Sequence, residues 1–159
     1  MRRFGWLVAG IGIGTLGVLG LQAVRRRLPG VIQGKITPHD PIVRRKAIEI
    51  ASQHPGEYNI EQVLDVFDYM KALKYVTDPQ PTHVAFPKDT ILAGGGDCDD
   101  FAVTAASLIE AIGGHSRVAV VWNENIGHAL TEVQMGSQGT IASHFLEPIR
   151  NRYGEVQVG

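Results

Sequence analysis

A chain of 159 residues is long enough for one packed domain and an extension, and its 44% hydrophobic and 19% charged content excludes wholesale disorder. A formal net charge of −1 supplies no field that would recruit nucleic acid or acidic partners, and no basic stripe interleaved with aromatic residues is present. One cysteine, Cys98, cannot close an internal disulfide, so packing alone must hold the fold.

The first element predicted is apolar. Residues Phe4 to Val24 carry no charge, and 21 residues at 1.5 Å rise make a helix of roughly 32 Å, about the thickness of a bilayer's hydrocarbon core. Arg2 and Arg3 flank one end, Arg25, Arg26 and Arg27 the other, and Trp6 stands near the first boundary. Residues 1–27 therefore read as a membrane anchor with basic flanks. A cleaved signal peptide would want a better run of small residues before its cleavage site, and a soluble helix this rich in glycine would be unstable in water. Gly10 and Gly14 have the spacing that lets a second helix approach closely. The positive charges following the segment place the next domain on the cytoplasmic or interior side.

Residues 28–41 contain three prolines and two glycines and read as a linker, followed by one domain over 42–159. An amphipathic helix is predicted over 42–54, stopped by Pro55. A second starts at Asn59, where Gln62 three residues later completes a capping-box pattern, with Ile60, Val63, Leu64, Phe67 and Met70 at helical spacing. After a short extended "KYVTD", the stretch 79–96 reads as loop, with three prolines and the triple glycine. A helix then opens at Cys98 and ends at Gly113 and Gly114. Ser116 to Trp122 and His128 to Met135 form a predicted hairpin, and residues 141–154 a helical segment broken at Pro148. Helices, then a helix against antiparallel strands, make an α+β plan.

Chemistry concentrates where the cysteine falls. With Asp97 as N-cap, Cys98 occupies the first helical turn, where free N–H groups and the helix dipole favour a thiolate and could also serve an oxyanion. Asp97, Asp99 and Asp100 oppose this if they face the sulfur. A thiol nucleophile needs a base from elsewhere in the fold. Of six histidines, His39, His54, His83, His115 and His144 read as surface or structural, whereas His128 follows Gly127 and heads a strand.

The stretches "GDCDDFAVTAASLIEAIGGHSRVAVV" and "GHALTEV" resemble the transglutaminase-like superfamily, which has a papain-type cysteine-protease core, and "NIEQVLDVFDYMKALKYVTDP" is similar to the lead-in of its bacterial members. The resemblance covers roughly Asn59 to Met135. It implies a central helix opening with the nucleophile Cys98, packed on a small antiparallel sheet whose strand brings the base His128, and a peptide or protein substrate. The family's third member is an aspartate on the next strand, but no Asp follows Asp100 here. Of the carboxylates after His128, Glu132 lies too far along the same strand, which leaves Glu147 as the candidate.

Three functions fit these readings. The first is a membrane-anchored cysteine hydrolase, peptidase or amidase, or an acyltransferase if an amine accepts the acyl group. The second keeps the fold without turnover, as a structural, membrane-associated assembly component such as one of a virion or envelope complex. The third treats "GGGDCDD" as a cation site, but its aspartates lack the alternation and closing glutamate of a calcium loop. No cofactor or metal is implied by the first two.

Overall fold

Asp40 starts the first long helix. Its Oδ1 accepts hydrogen bonds from the N–H groups of Ile42 and Val43, at 2.9 and 3.4 Å, and Pro41 stands at the first helical position where no donor is needed. In this computed structural model, which describes residues 28–78, 83–122, 127–135 and 151–153, that helix is α1, Pro41–Ala51. It ends three residues before the predicted stop.

Helix α2, Ile60–Ala72, carries the capping box read from sequence. The Gln62 N–H donates to Asn59 Oδ1 at 3.1 Å, and the Asn59 N–H donates to Gln62 Oε1 at 3.4 Å. Strand β1, Lys74–Tyr75, pairs in parallel with β2, Gly95–Gly96, and between them lies α3, Pro87–Ala93. The stretch 79–96, expected as loop, thus contains a helix. Its signals were a proline at the first turn and Gly94 at the end, where φ is 68°. Helix α4, Cys98–Ala111, then leads into the hairpin of β3, His115–Trp122, and β4, Gly127–Gln134.

Helix α4 is the centre of the molecule. Leu108 and Ile109 pack with Val43, Ala47 and Ile50 of α1 and with Val66 and Met70 of α2. On another side Val103 packs with Leu28, Ile32 and Val84, and with Val118 and Val120 of β3. Burial on several sides explains why α4 is apolar over most of its circumference. Leu28 and Ile32 belong to a helical stretch, residues 28–33, within the segment expected to be linker. Two apolar side chains four residues apart and buried against the core decide the structure there, despite the glycines and prolines.

The hairpin register sets which side chains meet α4. Val118 faces Thr131 and Val120 faces Ala129, and the Thr131 hydroxyl donates to the Ala102 carbonyl at 2.8 Å. Alternation then puts Arg117, Val121, His128 and Glu132 on the opposite face, where Arg117 Nε donates to the Glu132 carboxylate. Among the described residues no helix is long and apolar enough to cross a membrane. The apolar segment Phe4 to Val24, with Gly10 and Gly14, lies outside them, as do His144 and Glu147.

Candidate active site

Three glycines bring the chain to Cys98, one for its backbone conformation and two for close contacts. Gly94 takes the left-handed conformation that ends α3. A Cβ on Gly95 would lie 2.5 Å from the Lys74 carbonyl oxygen, and one on Gly96 would lie 2.8 Å from both Cβ and Oδ2 of Asp100. The missing side chains let β1 and the first turn of α4 close on the same short stretch of backbone. The Lys74 N–H donates to the Gly94 carbonyl at 3.0 Å, and the Val76 N–H to the Gly96 carbonyl at 2.8 Å.

Cys98 is the first residue of α4, as its place after Asp97 predicts. It is half-buried. A hydrogen bond from the Ala129 backbone N–H favours its thiolate, so the sulfur meets β4 at the residue next to His128. The His128 side chain is exposed and shares the outer face of the hairpin with Val121, while Ala129 turns its methyl inward.

The thiol is not the acidic one that a helix N-terminus alone would make. Burial pushes its pKa up; the Ala129 N–H lowers it, the Asp97 and Asp99 charges raise it, and the Asp99 N–H lowers it again, with the net shift upward. The helix N-terminus favours a lowered thiol pKa and the flanking aspartates a raised one; burial, the largest cause, together with the Asp97 and Asp99 charges, decides the shift upward.

Those carboxylates form a tight group. Oxygens of Asp97, Asp99 and Asp100 lie within 4.8 Å of one another. Asp99 is pushed up to about 8, first by burial, then by a hydrogen bond with Asp97 and the charges of Asp97 and Asp100, so its carboxyl holds a proton at neutral pH. Asp100 is also raised by burial, and its two oxygens accept from the backbone N–H groups of Ala85, at 2.6 Å, and Asp97, at 3.3 Å. Asp97 Oδ2 accepts from the Asp78 N–H at 3.3 Å. The group's spacing would suit a divalent cation. Asp97 Oδ2 and both Asp100 oxygens tie the loop after β1, the segment before α3 and the N-cap backbone to the first turn of α4. Asp97 Oδ1 and Asp99 Oδ1 are buried and, among the described residues, take no hydrogen bond from outside the group.

Tyr75 was not singled out by sequence reasoning. It sits opposite Gly96 in the β1–β2 register, and its ring meets Phe101 edge-on with centroids 6.0 Å apart. Phe101 is three residues beyond Cys98 on α4, so the two share a helix face. Of the other described histidines, His54 Nδ1 lies 2.7 Å from Asp65 Oδ2, His83 Nδ1 lies 2.6 Å from Asp78 Oδ2, and His115 and His39 are exposed. Glu132 is engaged by Arg117 and gives nothing to the site.

Residues 44–142 match the family model of the transglutaminase-like superfamily. The chain belongs to the transglutaminase-like superfamily. No curated protein matches this superfamily member. Among solved structures, a proposed cysteine protease from Cytophaga hutchinsonii superposes with a TM-score of 0.51 at 21% identity, over 70% of this chain and 44% of that one. The transglutaminase-like chain thus shares a fold with that protein while spanning less than half of its length. The papain-type α+β core expected from sequence is present, with the cysteine helix packed on an antiparallel hairpin.

Proposed function

We propose that the protein is a membrane-anchored cysteine hydrolase of the peptidase or amidase type. Cys98 is its nucleophile, His128 its base, and a peptide or protein amide its substrate. What supports this reading is the Ala129 backbone N–H, which acts on the Cys98 sulfur and so sets it against β4 beside His128. The His128 side chain leaves from the outer face of the hairpin, so its ring must turn about the strand end to reach the sulfur. Because burial, with the Asp97 charge beside it, keeps the thiol protonated at neutral pH, the proton leaves as the sulfur attacks, with the imidazole taking it. The sulfur then bonds to the carbonyl carbon, the carbonyl π pair moves to oxygen, and collapse expels the amine with the proton from His128. Water attacking the thioester, its proton again taken by His128, releases the acid and frees the thiol. Glu147 is the candidate orienter of the imidazole.

Iodoacetamide alkylation of the full chain tests the pair. His128→Ala should slow Cys98 alkylation at pH 7 by roughly tenfold or more, the lower range for a positioned base. Equal rates in the two proteins would remove His128 from the site. They would favour a second reading, supported by the raised thiol pKa, in which the fold serves as an inert assembly component at a membrane.

The anchor in this proposal is Phe4 to Val24, long enough to span and flanked by arginines, with the domain on the cytoplasmic or interior side and Gly10 and Gly14 offered to another helix. Alkaline extraction should leave the full chain in the membrane pellet and release a chain lacking residues 1–27. Release of both would refute the anchor.

A further inference from the structure

The site as built so far has one donor for an oxyanion, the Cys98 N–H, which the first turn of α4 leaves free. A tetrahedral intermediate is usually held by two. A second preorganised donor has to come from a group fixed on the same side of the first turn.

Tyr75 is fixed there by three constraints. Its backbone is locked opposite Gly96, two residues before Cys98, by the parallel β1–β2 pair and the 2.8 Å bond from the Val76 N–H to the Gly96 carbonyl. Its ring stands edge-on against Phe101 at 89°, on the helix face that Cys98 shares. Just beyond it, the Asp78 N–H is tied to Asp97 Oδ2. The side chain remains 59% exposed, so it borders open space from which a substrate can enter.

We propose that the Tyr75 hydroxyl is a catalytic group that donates to the oxyanion formed when the Cys98 sulfur adds to a carbonyl, as the partner of the Cys98 N–H. The proposal rests on the hydrolase reading above. The strand register and the edge-on ring contact set Tyr75 beside the first turn of α4, and a carbonyl oxygen entering between the hydroxyl and the Cys98 N–H would accept from both. Burial, and then the charges of Cys98, Asp97 and Asp99, raise the phenol's pKa, which keeps it in the protonated donor form. Tyr75 gives no proton away. As the C–S bond forms, the carbonyl π pair becomes the oxyanion's charge, the two donors hold it, and collapse returns that pair to the C=O bond as the leaving group departs.

Two reagents separate this role from a structural one. Acetylation of Cys98 by p-nitrophenyl acetate passes through an oxyanion, whereas alkylation by iodoacetamide displaces iodide and does not. In Tyr75→Phe, which keeps the ring on Phe101, nitrophenolate release in the full chain should slow roughly 10- to 100-fold, somewhat under the loss of a fully buried oxyanion donor. Alkylation of the same variant should stay within about twofold of wild type, since no oxyanion forms. Unchanged acetylation, or acetylation and alkylation falling together, overturns the assignment. If mass analysis finds no acetyl group on Cys98 of the wild type, with Cys98→Ala releasing nitrophenolate equally fast, the hydrolase reading fails and Tyr75 falls with it.

Discussion

At the scale of single residues, the site is governed by which carboxylate carries a proton. The Cys98 sulfur is acted on by Asp97 and Asp99 from the start of its own helix, by Tyr75 from β1 and by the Ala129 N–H from β4, while Asp100 and His83 act on the same acidic group. Below pH 8 Asp99 is neutral, so only part of the acidic charge acts on the sulfur; above pH 8 its proton leaves and the thiolate meets a further negative neighbour. Asp99→Asn removes that late charge and nothing else electrostatically. Its Cys98 should alkylate at about the wild-type rate at pH 7 and about three- to tenfold faster at pH 9.5, the effect of one nearby charge through a partly screened medium. A variant already much faster at pH 7 would show that Asp99 is ionised there. The same proton affects stability. A carboxyl whose folded pKa is raised from 3.8 to about 8 binds its proton more tightly when folded, so its contribution is whole below pH 4 and lost by pH 8. The melting advantage of Asp99→Asn should therefore grow as pH rises across that window.

At the scale of elements, what could be read from the chain divides by the range of the interaction. Local signals worked: the Asn59–Gln62 box, Asp97 before the cysteine helix, and the alternation of β3 and β4 are decided within a few residues. Helix α3 was legible in principle from Pro87 and Gly94, but its seven residues are too few for an apolar stripe to announce it. The helical stretch 28–33 was not legible, because it depends on Leu28 and Ile32 meeting Val84 and Val103 from distant parts of the chain. Tyr75 was missed for a related reason. A two-residue strand paired with two glycines has no pattern of its own, and only the closed β1–β2 pair brings it to Cys98. The thiol's electrostatics depended on where three adjacent aspartates point, which spacing does not fix and folding does.

At the scale of the whole molecule, α4 is supported from behind along its C-terminal half. Helix α2 packs its Val66 and Met70 behind α4, and its outer face is held by the helical turn at residues 151–153. Arg152 donates to Asp65 Oδ1 at 2.7 Å, to Asp68 Oδ2 at 2.9 Å and to Glu61 Oε2 at 3.4 Å, while the Tyr153 hydroxyl donates to Asp68 Oδ1 at 2.7 Å and its ring meets Phe67 edge-on. Of these acids only Asp65 has a fully buried side chain, and its two oxygens are held by two partners, Arg152 at 2.7 Å and His54 Nδ1 at 2.7 Å. Arg152→Met strips one of the two. The loss should be about 2 kcal/mol, below the usual 3–5 for breaking a buried pair, because Arg152 is partly solvated and His54 remains. Adding Asp65→Asn removes the charge that needed compensating, so the double variant should lose less than the sum of the two single losses in urea unfolding. Strict additivity would mean that Arg152 acts on the exposed acids alone. The turn holds residues of α2, whereas the groups acting on the thiol come from the start of α4 and from β4, so iodoacetamide should alkylate Cys98 of folded Arg152→Met at the wild-type rate, and a slowed reaction would show that the outer clamp sets the geometry of the site as well as its stability.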